Sequence, residues 1–109
     1  MRCLPTIVAM AAAFAAMAGP AGAQEIGNAD AGHALAKKVC AQCHVVEAGQ
    51  TPPRDVGAPS FHEVMAKPDS TEFRLRAFLQ TPHHKMPDLR FTRAETDDII
   101  AYLLSLKPR

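Results

Sequence analysis

The sequence predicts an all-α domain of about four helices, on three observations. Asn28 and the pairs Ser60/Glu63, Asp69/Glu72 and Thr92/Glu95 mark helix starts. A cap oxygen, with a glutamate three positions later, satisfies amides that the first helical turn leaves unpaired. Lys67-Pro68, Thr81-Pro82 and Lys107-Pro108 mark helix stops, since proline cannot donate and holds the residue before it extended. Between these marks apolar residues recur at helical spacing, and no strand-rich run is found.

In chain order, Asn28 caps a first helix over about residues 29–41, with Ala31, Leu35 and Val39 as a narrow apolar stripe opposite Lys37 and Lys38. Residues 45–58 are rich in proline and glycine and lack helical period, so they form a loop, closed by Gly57-Ala58-Pro59. Ser60 starts a short helix to about Ala66. Asp69/Glu72 starts a third, to about Gln80, with Phe73, Leu75, Phe78 and Leu79 as its apolar face. Residues 83–90 form a loop crossing back over the core. The longest helix follows Thr92, over about residues 93–106, and buries Ile99, Leu103 and Leu106 flanked by Ile100 and Leu104.

The chemistry centres on Cys40-Ala41-Gln42-Cys43-His44. Two thiols three positions apart, followed at once by an imidazole, have the spacing of a c-type haem attachment site. The thiols add to the two vinyl groups of one porphyrin, and His44 is then delivered beneath the ring as an iron ligand. Zinc would need four ligands, and after Cys43 no further cysteine remains. A thioredoxin-like pair belongs beside a βαβ pattern, which the chain does not have.

The 109 residues allow one domain. Met1-Arg2, an apolar run over 7–18 and the small-x-small site Ala21-Gly22-Ala23 read as a secretory signal peptide over residues 1–23, carrying Cys3 away with it and leaving a domain over 24–109. The stretch is too short and too broken by Pro5 and Gly19-Pro20 for a membrane span, so the mature chain is expected to have none and to work in the periplasm. The formal net charge is +1, and loss of Arg2 makes bases and acids equal, which argues against nucleic acid as a partner. A domain of this size has a marginal core of its own, and covalent haem would serve as its staple.

Taken together, Cys40-Ala41-Gln42-Cys43-His44, Gly32, Gly57-Ala58-Pro59, Met86-Pro87 and Asp98-Ile99-Ile100-Ala101-Tyr102-Leu103 resemble a small bacterial class I cytochrome c over the whole mature region. The resemblance implies a small fold with its first and last helices crossing at Gly32. It implies one haem c on Cys40 and Cys43, with His44 as proximal ligand and Met86 as distal ligand. It also implies that the Pro59 carbonyl accepts the second ring proton of His44. His62, Met65, His83 and His84 are the competing distal ligands. Ala36 stands where many relatives have an aromatic residue, and the chain has no tryptophan, so Arg54, Arg74 or Arg76 are candidates to meet a haem propionate.

A thioether paired with an imidazole favours ferrous iron and leaves no open position, which makes the chain a one-electron carrier rather than an enzyme. Its expected partners are a donor dehydrogenase or bc1-type complex and an acceptor oxidase or reductase. The alternatives are a haem subunit docked permanently to a dehydrogenase, and a haem peroxidase that would need Met86 to leave the iron.

Overall fold

The computed structural model describes residues 26–54, 57–83 and 85–109. The expected signal peptide, with Cys3, and the candidate ligand His84 lie outside the described residues. Among those described there are four α-helices, α1 (Ala29–Val39), α2 (Phe61–Ala66), α3 (Glu72–Gln80) and α4 (Arg93–Ser105), with a 3-10 turn over Cys40–Gln42. The fold is all-α, as predicted.

α1 starts where expected, the Asn28 side chain accepting from the Ala31 amide at 3.0 Å. It stops two residues early, tightening into the 3-10 turn, because the amides of Cys43 and His44 both turn back to the Cys40 carbonyl, at 3.1 and 2.9 Å. Its buried face also differs from the predicted stripe. Ala31 is exposed, whereas Gly32, Ala36 and Cys40 are buried, and Leu35 and Val39 flank them. The cause is the crossing with α4: a Cβ added to Gly32 would overlap the Asp98 carbonyl, so the small residues occupy the point of closest approach. The Asn28 amide, donating to the Asp98 carboxylate at 2.8 Å, fixes the same crossing from its end.

α2 and α4 carry complete capping boxes. Glu63 accepts from the Ser60 amide at 2.7 Å and Glu95 from the Thr92 amide at 2.8 Å, while each cap hydroxyl accepts from the glutamate's own amide. These hydrogen bonds hold both carboxyl groups below the usual carboxylate range. α3 departs from the prediction. Its cap is Thr71, whose hydroxyl accepts from the Arg74 amide, and Asp69 instead pairs with the Arg74 guanidinium at 3.1 Å. Residues 67–70 are taken up by a turn in which the Ser70 amide reaches the Lys67 carbonyl, so the helix starts later than the Asp69/Glu72 pair implied.

The predicted apolar face of α3 is narrower than expected. Leu75 is buried and Leu79 packs against the core, but Phe73 is 85% exposed and Phe78 48%. Leu75 and Leu79 share one helical face at i, i+4, and Phe73 lies off it. Arg76 anchors the helix sideways, donating to Glu72 at 3.2 Å and to Asp97 on α4 at 2.6 Å.

α4 is the central element. It buries Thr96, Ile99, Ile100, Tyr102 and Leu103, while Leu104 and Leu106 sit at the border. Because α1 packs on one side and α2 and α3 on others, more of its circumference is covered than a single stripe provides. With Val46, Phe61, Met65 and Leu75 these residues make one apolar core.

Candidate functional site

The 3-10 turn sets the two thiols by geometry. Cys40 faces inward at 7% exposure, and Cys43, three positions on, is partly exposed; both are free thiols. Burial, and secondarily the neighbouring Cys43 thiol, push the Cys40 thiol up to about 11, so at neutral pH it is uncharged and packs as a small apolar side chain.

His44 follows directly and is held at both ends. Its Nδ1 lies 2.7 Å from the Pro59 carbonyl oxygen. A carbonyl can only accept, so Nδ1 carries the proton and Nε2 keeps its lone pair for a metal. The main chain after it is pinned group by group, because a loop without ladder partners must find them among side chains. The His44 carbonyl accepts from Gln50 Nε2 and the Val46 amide donates to Gln50 Oε1, both at 2.8 Å. The Val45 carbonyl accepts from the Phe61 amide at 2.9 Å, and the Val46 carbonyl from the Tyr102 hydroxyl at 2.6 Å.

An aromatic row backs this loop. The His44 ring is tilted against Phe61, Phe61 against Tyr102, and Tyr102 stacks on His33 with centroids 4.6 Å apart. His33 Nε2 in turn meets the Glu47 carboxylate at 2.6 Å. The backing of the His44 ring is therefore built by α1, the loop after the turn, α2 and α4 together.

Met86 lies in a separate, tight turn between α3 and α4, partly buried, with its amide donating to the His83 carbonyl at 3.0 Å. Of its competitors, Met65 is packed in the core at 1% exposure, and His62 is exposed on α2. His83 Nδ1 is engaged by the Thr81 carbonyl at 2.8 Å, and its ring edge meets Phe78. Among the propionate candidates, Arg76 is committed to Glu72 and Asp97, and Arg74 to Asp69; Arg54 is exposed.

Two free thiols on one turn, with a lone-pair nitrogen delivered by the next residue, fit a porphyrin bound through two thioethers. They do not fit bare zinc, since no group of three His, Cys, Asp or Glu able to hold an ion occurs among the described residues. Residues 29–107 match the cytochrome c family. Cytochrome c-552 of Bradyrhizobium diazoefficiens is 48% identical over 82 residues, covering 73% of this chain and 78% of that protein. The chain belongs to the cytochrome c family. No solved structure matches it significantly.

As a cytochrome c it carries haem c, attached covalently through Cys40 and Cys43, and transfers electrons between redox partners. The family match runs from the first residue of α1 to just past α4, so the whole described helical core belongs to it. No helix among the described residues is long and apolar enough to cross a membrane.

Sequence reasoning on this cytochrome c missed Gln50, His33 and Glu47, and took Tyr102 only as part of a helix contact. Gln50 and Glu47 sit in an aperiodic loop, where Gln50 folds back on Ala41, His44 and Val46 and Glu47 reaches His33 on α1. No local signal marks them.

Proposed function

We propose that this cytochrome c is a soluble, periplasmic one-electron carrier whose iron is held by His44 on one face and Met86 on the other. The observation that carries the reading is the 2.7 Å contact between His44 Nδ1 and the Pro59 carbonyl. It fixes the tautomer and makes the other nitrogen a more basic ligand. Met86 supports the reading by its place in the late turn, and its thioether is a soft, neutral ligand that favours ferrous iron.

When bound, haem c supplies the reversible gain and loss of one electron. The protein's part is to position and to exclude. Cys40 and Cys43 would tether the group, His44 and Met86 would each offer it a donor atom, and the core of Ile99, Leu103 and Phe61 keeps water from the interior. Held by both donors, the group would serve electron transfer and would not take up peroxide or substrate. Export rests on residues 1–23, and places haem attachment outside the cytoplasm.

Optical spectroscopy and intact-mass analysis of protein recovered from the periplasm test this reading. The expected result is a low-spin oxidised spectrum with a weak far-red iron–sulfur band, and the mass of a chain starting at Gln24 plus one haem. A high-spin spectrum with peroxide turnover, or a haem-loaded chain still starting at Met1, would contradict it.

A further inference from the structure

We propose that Gln50 is a positioning residue for the His44 imidazole: its side-chain amide replaces a missing strand partner and clamps the backbone that carries the ligand. The inference rests on the reading of His44 as an iron ligand.

Three contacts carry it. Gln50 Oε1 accepts from the Val46 amide at 2.8 Å, Gln50 Nε2 donates to the His44 carbonyl at 2.8 Å, and Nε2 also approaches the Ala41 carbonyl at 3.5 Å. One primary amide thus meets a carbonyl and an amide two residues apart, the pattern a neighbouring strand would present. The need is real, because Val46 is 0% exposed and lies in no helix or strand. Its amide depends on Gln50 as its carbonyl depends on Tyr102. A buried backbone donor without a partner is among the costlier defects a loop can have.

The contact to Ala41 extends the clamp back into the turn between the two thiols. Gln50 therefore spans the segment from between Cys40 and Cys43 to just beyond His44, and Pro59 holds the imidazole at its far end. Two constraints, one on the main chain and one on Nδ1, fix the ring plane; with either alone the side chain can still rotate about its remaining bonds. Only an amide does this here. A carboxylate at position 50 could accept from Val46, but would set a negative oxygen against the carbonyls of His44 and Ala41.

The test uses the intact haem-loaded protein and two variants. Gln50→Met keeps most of the volume and removes both hydrogen bonds; Gln50→Glu keeps the acceptor and loses the donor. In the parent, the Val46 amide should exchange slowly with solvent, and the His44 ring protons of the ferrous protein should show the strong upfield shifts of an axial imidazole. In Gln50→Met, Val46 exchange should accelerate about tenfold, as expected for one lost buried hydrogen bond. The His44 ring resonances should move, and the reduction potential should rise as the bond to Pro59 loosens and the ligand becomes less basic. Gln50→Glu should keep Val46 protected yet still move the His44 resonances. Thr92→Ala, a loss of helix cap far from the loop, controls for stability alone and should leave resonances and potential in place. If both Gln50 variants melt earlier but leave the His44 resonances and potential where they were, Gln50 merely stabilises the loop and the proposal is overturned. Fast Val46 exchange in the parent overturns it without any variant. A parent that lacks the shifted His44 resonances overturns the ligand reading itself, and the proposal with it.

Discussion

The hydroxyl of Tyr102, on the last helix, donates across 2.6 Å to the carbonyl of Val46, two residues beyond His44. This bond ties the longest helix directly to the loop that follows the His44 imidazole. Tyr102→Phe should leave haem attachment intact and cost about 1–3 kcal/mol, because it strands a buried carbonyl. Denaturant titration of the parent and variant checks this. Burial, and secondarily the nearby Glu47 carboxylate, raise the Tyr102 phenol above its ordinary range. The folded state therefore holds this proton more tightly than the unfolded chain. The stability it contributes is complete below the unfolded value near 10 and falls as pH climbs toward the folded one. The parent should lose stability over that alkaline window more steeply than Tyr102→Phe does.

Gly32→Ala should weaken the crossing of α1 and α4 by about 3 kcal/mol, the upper part of the range for overpacked sites. The added carbon meets the backbone carbonyl of Asp98, which cannot swing aside as a side chain would. Thermal melts followed by circular dichroism measure the loss. An unchanged midpoint would show that the helices can slide apart freely.

Helix starts were the clearest feature of the sequence where a hydroxyl and a glutamate bracket the first turn, as at Ser60/Glu63 and Thr92/Glu95. Asp69/Glu72 has the same form and failed. The proline turn at 67–70 absorbs Asp69, and Thr71 stands two positions nearer the helix. The motif Cys40-Ala41-Gln42-Cys43-His44 announced the covalent group because its chemistry is local. The support around His44 is less local: Gln50 comes from the loop just after it, Pro59 and Phe61 from the start of α2 and Tyr102 from α4, and they meet only after folding. The buried face of α1 was misplaced by one position, since a stripe of larger apolar residues says nothing of where two backbones will touch.

Acid stability should depend on the two capping glutamates. Glu63 and Glu95 titrate below the ordinary carboxylate range in the folded chain, chiefly because each accepts a hydrogen bond from the backbone amide of its cap residue. Their contribution is therefore present above the unfolded value and disappears as pH falls through the lower folded one. Stability measured against pH should decline on the acid side, and Glu95→Gln should flatten that decline.

Cys40→Ala with Cys43→Ala removes both thioether tethers. A domain of this length without its staple should be largely unfolded at room temperature. Far-ultraviolet circular dichroism gives the answer, and full cooperative helicity would show that the four helices pack without haem.

The carrier reading is tested most directly at Met86, by the reduction potential of Met86→Ala. Axial ligands are a main lever on a span of roughly 0.8 V among haem proteins. Replacing a thioether by water or a histidine should lower the potential by a substantial part of that span, and abolish the far-red band of the oxidised parent. Slight peroxidase activity should appear only in the variant. An unchanged spectrum and potential would contradict the assignment and move the search to His83, His84, His62 and Met65.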